Sequence, residues 1–166
     1  MLPENPVAVG SAMQIDYLAD HPDLAATLAE WHYGEWRTLL PGWSLAQALA
    51  DLRSHTGRRQ IPTTLVAVAD GRPLGSASLL AADLPGWEHL TPWVASVYVR
   101  TECRGLGIGS RLVTRAVEEA GALGVPVVYL FTAGQRAFYE RLGWVARDRV
   151  PHHGSEVLIM TRWTTD

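Results

Sequence analysis

Lysine is absent from this sequence, and all fourteen of its basic side chains are Arg. Without Lys the chain has no amine for a Schiff base, and it has no phosphate-binding loop of the Gly-Lys-Ser/Thr kind. An excess of positive charge is also missing, because the formal net charge is -3. A protein that binds nucleic acid needs a clustered basic surface, so we expect no nucleic-acid partner.

Cysteine is nearly absent as well. Cys103 is the one cysteine, which excludes an intrachain disulfide and a thiolate metal cluster. The six His residues show no metal-ligand spacing. His152 and His153 are adjacent, and adjacent side chains on a strand point to opposite faces. The sequence therefore predicts no metal site.

Long apolar runs are missing too, since no stretch approaches the ~20 residues of a membrane span. The opening residues, MLPENPVAVG, lack the basic start and apolar run of a signal peptide. We therefore expect a cytoplasmic protein with no membrane partner.

The chain has enough apolar residues to form a large hydrophobic core, because 48% of its residues are hydrophobic and seven are Trp. Its 166 residues predict a single domain over residues 1–166, with a flexible stretch at Met1–Ala12.

Hydrophobic periodicity predicts an alternation of strands and helices. Two helices near the start precede a hairpin around the turn Asp70-Gly71, and a long amphipathic helix spans about Leu106–Leu123. The predicted strands are Met13–Tyr17, Thr63–Ala69, Pro73–Ala81, Trp93–Val99, Val127–Phe131, Trp144–Val150 and Glu156–Thr161. The remaining predicted helices are Pro22–Leu40, one capped by Ser44, and Gly134–Leu142. This order predicts an α/β (α+β) fold in which helices pack on a sheet.

Residues 97–110 carry the most informative pattern. They are predicted to form a strand, a short turn and a helix start in which Gly105, Gly107 and Gly109 alternate with apolar residues. A helix N-terminus offers unpaired N–H groups and partial positive charge, and glycine lets the backbone approach a pyrophosphate closely. Arg104 adds a cation. The segment predicts a diphosphate cradle, and the alternative is a glycine-rich turn that binds no ligand.

The two best-known nucleotide-binding patterns do not fit this segment. The phosphate-binding loop needs a Lys, which the chain lacks. The dinucleotide fingerprint is Gly-x-Gly-x-x-Gly in a parallel unit, whereas the spacing here is Gly-x-Gly-x-Gly after a predicted antiparallel hairpin. A different diphosphate ligand is therefore indicated.

Two short motifs stand on either side of a predicted helix and strand. Residues 104–109 are Arg-Gly-Leu-Gly-Ile-Gly, and residues 138–144 are Phe-Tyr-Glu-Arg-Leu-Gly-Trp. The first looks like the Arg/Gln-x-x-Gly-x-Gly/Ala signature of the GCN5-related N-acetyltransferase (GNAT) superfamily, and the second resembles that family's second motif. Ser96–Val99 resembles its central strand. The resemblance covers nearly the whole chain and implies a mixed, mostly antiparallel twisted sheet of about six to seven strands, flanked by about four helices.

The resemblance also implies an activity, the transfer of an acetyl group from acetyl-CoA to a primary amine by direct attack in a ternary complex. Backbone groups of Val97 and Val99 would pair with the pantetheine arm and the acetyl carbonyl. Tyr139 would protonate the leaving thiolate as general acid, with a packing role as the alternative. The residues implied to bind coenzyme A are Val97, Tyr98, Val99, Arg104, Gly105, Leu106, Gly107, Ile108, Gly109, Ser110, Thr132 and Phe138.

Two positions depart from the family pattern. Thr132 stands where many members have an Asn that bonds the pantetheine, and a hydroxyl makes only one of the amide's two bonds. Trp93 stands where some members have a Glu general base, and Trp cannot accept a proton. Deprotonation of the amine by water is one alternative. The other candidate bases are Asp83, Glu88 and His89 in the loop before the central strand, and Glu35 in the first helical region.

The acceptor amine is not identified by the sequence. Aromatic residues of the first helices and the neighbouring loops either line an acceptor pocket or fill a core. They are Trp31, His32, Tyr33, Trp36, Trp43 and Trp87. Three other interpretations stay open: a non-catalytic acyl-CoA-binding module, a transferase for a longer acyl chain, and an acyl-enzyme route through Cys103. A homodimer formed through the final strands is also left open.

Overall fold

The computed structural model describes residues 13–165, so the stretch Met1–Ala12 that was predicted to be flexible lies outside the described residues. In chain order the strands are β1 Gln14–Tyr17, β2 Thr63–Ala69, β3 Arg72–Leu80, β4 Trp93–Val99, β5 Val127–Thr132, β6 Val145–His152 and β7 Ser155–Trp163. The α-helices are α1 Ala25–Trp36, α2 Leu45–Ser54, α3 Ile108–Ala122 and α4 Arg136–Arg141. Short 3-10 helices cover Leu18–Asp20, Pro22–Leu24 and Thr101–Cys103.

The strands form one seven-stranded sheet in the order β1-β2-β3-β4-β5-β7-β6. Neighbouring strands are antiparallel except β4 and β5, which run parallel and are connected through α3. Four α-helices accompany the sheet in the described part of the chain. The predicted mixed, mostly antiparallel sheet flanked by helices is therefore confirmed.

Local sequence explains how two of these elements are joined and capped. Asp70 and Gly71 have φ values of 52° and 73°, which form the tight turn between β2 and β3. The hydroxyl of Ser44 accepts a hydrogen bond from the backbone N–H of Gln47 at 3.0 Å and caps α2 as predicted.

Two predicted helix boundaries need correction. α3 begins at Ile108 and not at Leu106, because Gly107 adopts a left-handed φ of 82° that an α-helix does not include. α1 ends at Trp36, and the residues that follow form turns instead of continuing to Leu40. The first correction matters for function, because it places two of the three glycines before the helix and not inside it.

The sheet carries apolar side chains on both faces, and the alternation along each strand separates them. On the face covered by α3 and α4, here called the α3 face, buried residues of the sheet pack against α3 residues such as Leu112 and Ala116. The opposite face, here called the α1 face, holds two clusters. One joins α1 and α2 to Val66 and Val68 of β2, and the other joins the loop of residues 81–92 to β4–β7 around Trp93.

A buried acidic group fixes the other end of α3 to the sheet edge. Glu119 is fully buried, and its carboxylate accepts hydrogen bonds from the Tyr17 hydroxyl at 2.8 and 3.0 Å. Arg115 pairs with the same carboxylate at 2.7 Å. A buried charge of this kind is tolerated because it is both paired and hydrogen-bonded. These contacts hold the C-terminal half of α3 against β1 and do not involve its N-terminus.

Candidate functional site

β4 and β5 are adjacent strands that pair at one position. Trp93 stands opposite Tyr129, whose backbone N–H donates to the carbonyl of Pro92 at 3.0 Å. Beyond this point β4 remains paired with β3 and β5 with β7, but within residues 13–165 the two strands no longer pair with each other. The unpaired edges, residues 94–99 and 130–132, flank a wedge here called the strand split. Their backbone N–H and C=O groups are available to an extended ligand that contains amides.

A β-bulge lies beside the strand split. The register between β3 and β4 shifts between Ser76 and Ser78, and Ser96 in β4 has a φ of 53°. A positive φ is uncommon for a non-glycine residue, and bulges redirect the backbone next to active sites. The bulge was not predicted, because Ser gives no sequence signal for a left-handed conformation. It bends β4 immediately before Val97, the residue implied to contact the acetyl group.

A row of backbone donors follows the end of β4. The N–H groups of residues 105–110 have no hydrogen-bond acceptor within the described part of the chain. Gly105 and Gly107 have φ values of 79° and 82°, and a Cβ built on either would meet no atom within 4 Å. Glycine is therefore favoured at both positions by the left-handed backbone conformation and not by crowding, since a side chain would have room there. Because these donors lie at the N-terminus of the 15-residue α3, they are suited to bind an anion.

Side chains of this turn have different surroundings. Arg104 donates from Nε to the Val99 carbonyl at 2.9 Å, and its guanidinium lies 5.4 Å from the centre of the Tyr98 ring. This contact fixes the turn to the end of β4 and keeps the cation beside the donor row. Ile108 is buried in the core and Leu106 is exposed, so they differ as side chains although both supply a backbone N–H.

Three residues implied to bind coenzyme A meet at the start of α3. A Cβ built on Gly109 would lie 3.5 Å from Cζ of Phe138 and 3.5 Å from Cγ2 of Val99. Phe138 in α4 therefore reaches the N-terminal turn of α3, and Val97 packs on the same side of the sheet. Glycine at 109 leaves room for both of these side chains. Strand, turn and α4 thus form one continuous surface along the split.

Tyr139 is buried on the α3 face at 9% exposure, between Phe138 and Trp144. Its ring centre lies 5.0 Å from that of Phe138 and 6.1 Å from that of Trp144. Burial raises the pKa of the Tyr139 hydroxyl to about 12, so the phenol keeps its proton at neutral pH. Within residues 13–165 this hydroxyl has no hydrogen-bond partner. Packing explains the ring, but it does not explain the hydroxyl.

Thr132 and Tyr98 have roles in the fold that the sequence did not indicate. The Thr132 hydroxyl oxygen accepts hydrogen bonds from the backbone N–H of Gln135 at 3.0 Å and of Gly134 at 3.4 Å. It therefore shapes the turn before α4, and its own O–H is the group that remains for a ligand. The Tyr98 ring packs with residues of α1, and its backbone is the part that lies at the strand split.

The rings around Tyr98 form an aromatic cluster on the α1 face. The centre of the Tyr98 ring lies 5.5 Å from that of Trp31, 6.2 Å from that of His32 and 6.3 Å from that of Trp36. His32 is buried, and its Nε2 shares a hydrogen bond of 3.0 Å with the Ser76 hydroxyl. Burial, with the nearby His55 as a lesser cause, lowers the pKa of His32 to about 4. His32 is therefore neutral near pH 7 and serves as a hydrogen-bonded core residue.

The candidate bases have different environments. Asp83 is half-buried, and burial raises the pKa of its carboxyl to about 7. Glu88 is exposed, and a hydrogen bond from the backbone N–H of Gly86, at 3.0 Å, is the main cause that lowers its pKa. His89 and Glu35 are exposed. Only Asp83 combines burial with a pKa in the range where a base works at neutral pH.

Two cavities open at the surface, and the second includes Trp31 and Tyr98 of the aromatic cluster in its lining. The first, of about 370 Å³, lies between the α1–α2 connection and the β6–β7 turn and is lined by Leu40, Pro41, Gly42, Trp43, Ser44, Gln47 and His153. The second, of about 290 Å³, is lined by Thr27, Trp31, Arg72, Pro73, Tyr98, Arg100, Thr101 and Glu102. Both are candidates for the acceptor site, and the first has no carboxylate or guanidinium in its lining.

Residues 13–165 contain no group of three or more His, Cys, Asp and Glu side chains that is arranged to hold a metal ion. Cys103 is a free, buried thiol in the 3-10 turn before the donor row. None of the helices in the described region is long and apolar enough to cross a membrane.

Comparison with known families gives one match. The model of the acetyltransferase (GNAT) family matches residues 25–144, which include the central strand, the donor row and the whole second motif. No curated protein matches the chain at the level of sequence.

Solved structures share the fold at low sequence identity. An aminoglycoside 6'-N-acetyltransferase complexed with coenzyme A is 17% identical, with 92% of this chain and 98% of that chain covered and a TM-score of 0.73. The yncA protein of Salmonella typhimurium, with its cofactor acetyl-CoA, is 22% identical over 94% of this chain and 96% of that chain, with a TM-score of 0.69. A GNAT-family acetyltransferase from Streptococcus pneumoniae is 18% identical over 91% and 98% of the two chains, with a TM-score of 0.65.

Proposed function

Because the chain belongs to the GNAT acetyltransferase family, we propose that it is an acetyl-CoA-dependent N-acetyltransferase that acts on a primary amine. One observation carries the proposal: an unpaired strand edge leads directly into a row of six unpaired N–H groups at the start of a helix. An extended amide-containing arm that ends in a pyrophosphate matches both halves of this surface. Coenzyme A has this shape, and its thioester supplies an activated acetyl group.

The residues along the split fit each part of that substrate. Residues 105–110 hold the pyrophosphate through backbone N–H groups, with Arg104 beside them. The edge of β4 at Val97 and Val99 pairs with the pantetheine arm as an added strand. Phe138 walls the arm from the side of α4. The bulge at Ser96 turns the backbone toward the place where the thioester ends.

The transfer forms a C–N bond and breaks a C–S bond, so one proton leaves the amine and one proton joins the sulfur. A backbone N–H of β4, at Val97 or Val99, stabilises negative charge on the acetyl oxygen. Tyr139 donates the proton to the sulfur, because its phenol is protonated at neutral pH and its hydroxyl has no competing partner in residues 13–165. The amine attacks in a single ternary complex, which requires no acyl-enzyme at Cys103.

Three alternatives to this proposal predict different experimental results. A non-catalytic module binds acetyl-CoA without releasing thiol in the presence of any amine. A transferase for longer acyl chains binds and uses a longer acyl-CoA better than acetyl-CoA. An acyl-enzyme route through Cys103 is abolished in the Cys103→Ala variant, which the proposed direct transfer survives.

The proposal is tested by calorimetric titration with acetyl-CoA, followed by thiol release in the presence of a panel of amines. Gly107→Ala is the variant, and Gly124→Ala at the other end of α3 is its matched control. Both glycines have positive φ, 82° and 80°, and a Cβ on either meets no atom within 4 Å. Both variants therefore lose about 1–2 kcal/mol of stability to the same backbone strain.

Only Gly107→Ala should weaken acetyl-CoA binding, by about tenfold or more, because its new Cβ stands in the donor row. Equal binding by the two variants would contradict the cradle. Wild-type protein that binds no acetyl-CoA would contradict the proposed function itself.

A further inference from the structure

The loop of residues 81–92 has a fixed position on the sheet. The Thr91 hydroxyl donates to the Ala81 carbonyl at 2.6 Å and closes the loop. Trp93 Nε1 donates to the Leu90 carbonyl at 2.6 Å and ties the loop to the start of β4. Leu84 and Leu90 are buried beside Trp93. These contacts hold the backbone of the loop in place on the sheet.

Asp83 is the residue of this loop that lacks an explanation in the fold. It is half-buried next to Leu84 and has no hydrogen-bond or ion-pair partner within residues 13–165. An unpaired carboxylate withdrawn from water costs stability, and proteins keep such groups mainly at functional sites. The loop's own ionisable side chains, Glu88 and His89, are exposed.

No neighbouring charge accounts for the raised pKa of the Asp83 carboxyl. The apolar cluster around the loop includes Val150 of β6 and Val157 of β7. The ionisable residues next to these two are Arg149, His152 and Glu156. Desolvation is the one cause of the raised pKa of Asp83, which lies at about 7. The group therefore changes its charge near neutral pH without help from a partner.

The loop lies at the foot of the strand split. Trp93 is the last point at which β4 pairs with β5, and Phe131 of β5 packs against it at a ring separation of 6.3 Å. Leu84 and Leu90 of the loop pack with Trp93 on the α1 face and so cover this point from that side. Tyr139 belongs to the core cluster of the α3 face, where its ring packs against Phe138. The loop that carries Asp83 and the core that holds Tyr139 thus lie on opposite faces of the sheet.

We propose that Asp83 is the general base of the transfer and takes the proton that the attacking amine loses, directly or through one water molecule. This inference rests on the proposed acetyltransferase function. As the C–N bond forms, the amine proton passes to the carboxylate of Asp83. As the C–S bond breaks, the sulfur takes a proton from Tyr139. Tyr139 is reprotonated from solvent and Asp83 releases its proton to solvent, which balances the cycle.

The experiment measures thiol release against pH, from 5.5 to 9, with the best amine of the panel. The variants are Asp83→Asn, Asp83→Glu and, as matched control in the same loop, Glu88→Gln. Asp83→Asn should lose about 10²–10³-fold in kcat, a typical contribution of a general base. We expect the wild type to lose activity as the pH falls below about 7, and Asp83→Asn should not show this loss. Its affinity for acetyl-CoA should stay within twofold. Asp83→Glu should keep part of the activity, and Glu88→Gln should match the wild type.

Two results would overturn the assignment. One is an Asp83→Asn variant with wild-type turnover. The other is a variant with lower turnover whose pH profile keeps the wild-type acidic limb, because that pattern shows a structural role. Failure of the proposed function is a separate result, since the wild type itself would then release no thiol with any amine, and Asp83 would have no reaction to serve.

Discussion

Replacing Asp83 by Asn should stabilise the folded protein, and the gain should grow with pH. Burial raises the carboxyl pKa from 3.8 to about 7 in the folded state. When the folded pKa lies above the unfolded one, the unfolded chain ionises first, and ionisation favours unfolding. The penalty is absent below about pH 4, grows as the pH rises and is complete above about pH 7. Asn keeps the shape of the side chain and cannot ionise, so it removes this penalty.

The size of the effect follows from the pKa difference. One unit corresponds to about 1.36 kcal/mol. Between pH 5 and pH 8.5 only the two units from pH 5 to pH 7 contribute, so the stability gain of Asp83→Asn should widen by about 3 kcal/mol over this range. For a chain of this length the difference in Tm should widen by about 5–11 °C.

The assay is urea unfolding of both proteins at several pH values from 5 to 8.5, followed by tryptophan fluorescence. Protonation of His32 below pH 6.5 destabilises wild type and variant alike, so it cancels in the comparison. Glu88→Gln is the control, because a hydrogen bond from the Gly86 backbone lowers the Glu88 pKa. Its stabilising contribution is complete above its unfolded pKa of 4.5, so the effect of Glu88→Gln should have the opposite sign and stay constant.

A gain for Asp83→Asn that is the same at pH 5 and at pH 8.5 would refute the reasoning. It would show that the carboxyl of Asp83 does not titrate in this range in the folded protein. The base assignment would then lose support as well, because a general base is most efficient when its pKa lies near the working pH.

Two further predictions concern the acid and the packing of α3. Tyr139→Phe should lower turnover by about 10²-fold. It should leave acetyl-CoA affinity and Tm nearly unchanged, because the hydroxyl has no partner in residues 13–165. Unchanged turnover in steady-state assays would show that Tyr139 is not the general acid. Gly75→Ala should lower the free energy of unfolding by about 1–3 kcal/mol, because its Cβ would lie 2.6 Å from the Tyr98 carbonyl oxygen and 3.1 Å from Leu112. Gly34→Ala in α1 is the control, since its Cβ meets no atom within 4 Å and Ala should add about 0.5–1 kcal/mol in urea unfolding.

The order of elements and the glycine turn before α3 could be predicted from the sequence because both depend on local patterns. Apolar periodicity fixes strands and helices, and glycines at 105 and 107 indicate a backbone that departs from the right-handed region. The structure agrees, since both adopt positive φ just before α3. The error over the start of α3 arose because the apolar residue between these glycines continues the helical pattern, although the backbone there is not helical.

The direction of the Tyr98 side chain is a different case. Alternation along a strand places Tyr98 opposite its neighbours Val97 and Val99. The resemblance grouped all three as residues that bind coenzyme A, whereas the ring packs on α1. Strand geometry alone was sufficient to separate the Tyr98 backbone from its side chain.

Long-range contacts set the parts of the site that could not be predicted. The sequence presents Arg104 as a free cation, but Nε is bonded to the Val99 carbonyl. It presents Asp83 as one of several acids in a polar loop. The partial burial of Asp83 goes with that of Leu84 and Leu90, which pack in one cluster with residues of β4, β6 and β7. No local pattern reports how closely a loop packs on strands that come later in the chain.

The strand split explains why proton-transfer groups on opposite faces can serve one reaction. An intact sheet separates its two faces, because each backbone N–H and C=O is used by the neighbouring strand. Where β4 leaves β5, that barrier opens, and a thioester lying in the gap is reachable from both sides. In the proposed mechanism the amine and Asp83 work from the α1 face while Tyr139 works from the α3 face. A variant that restored pairing along β4 and β5 would therefore be expected to abolish transfer while both residues remain in place.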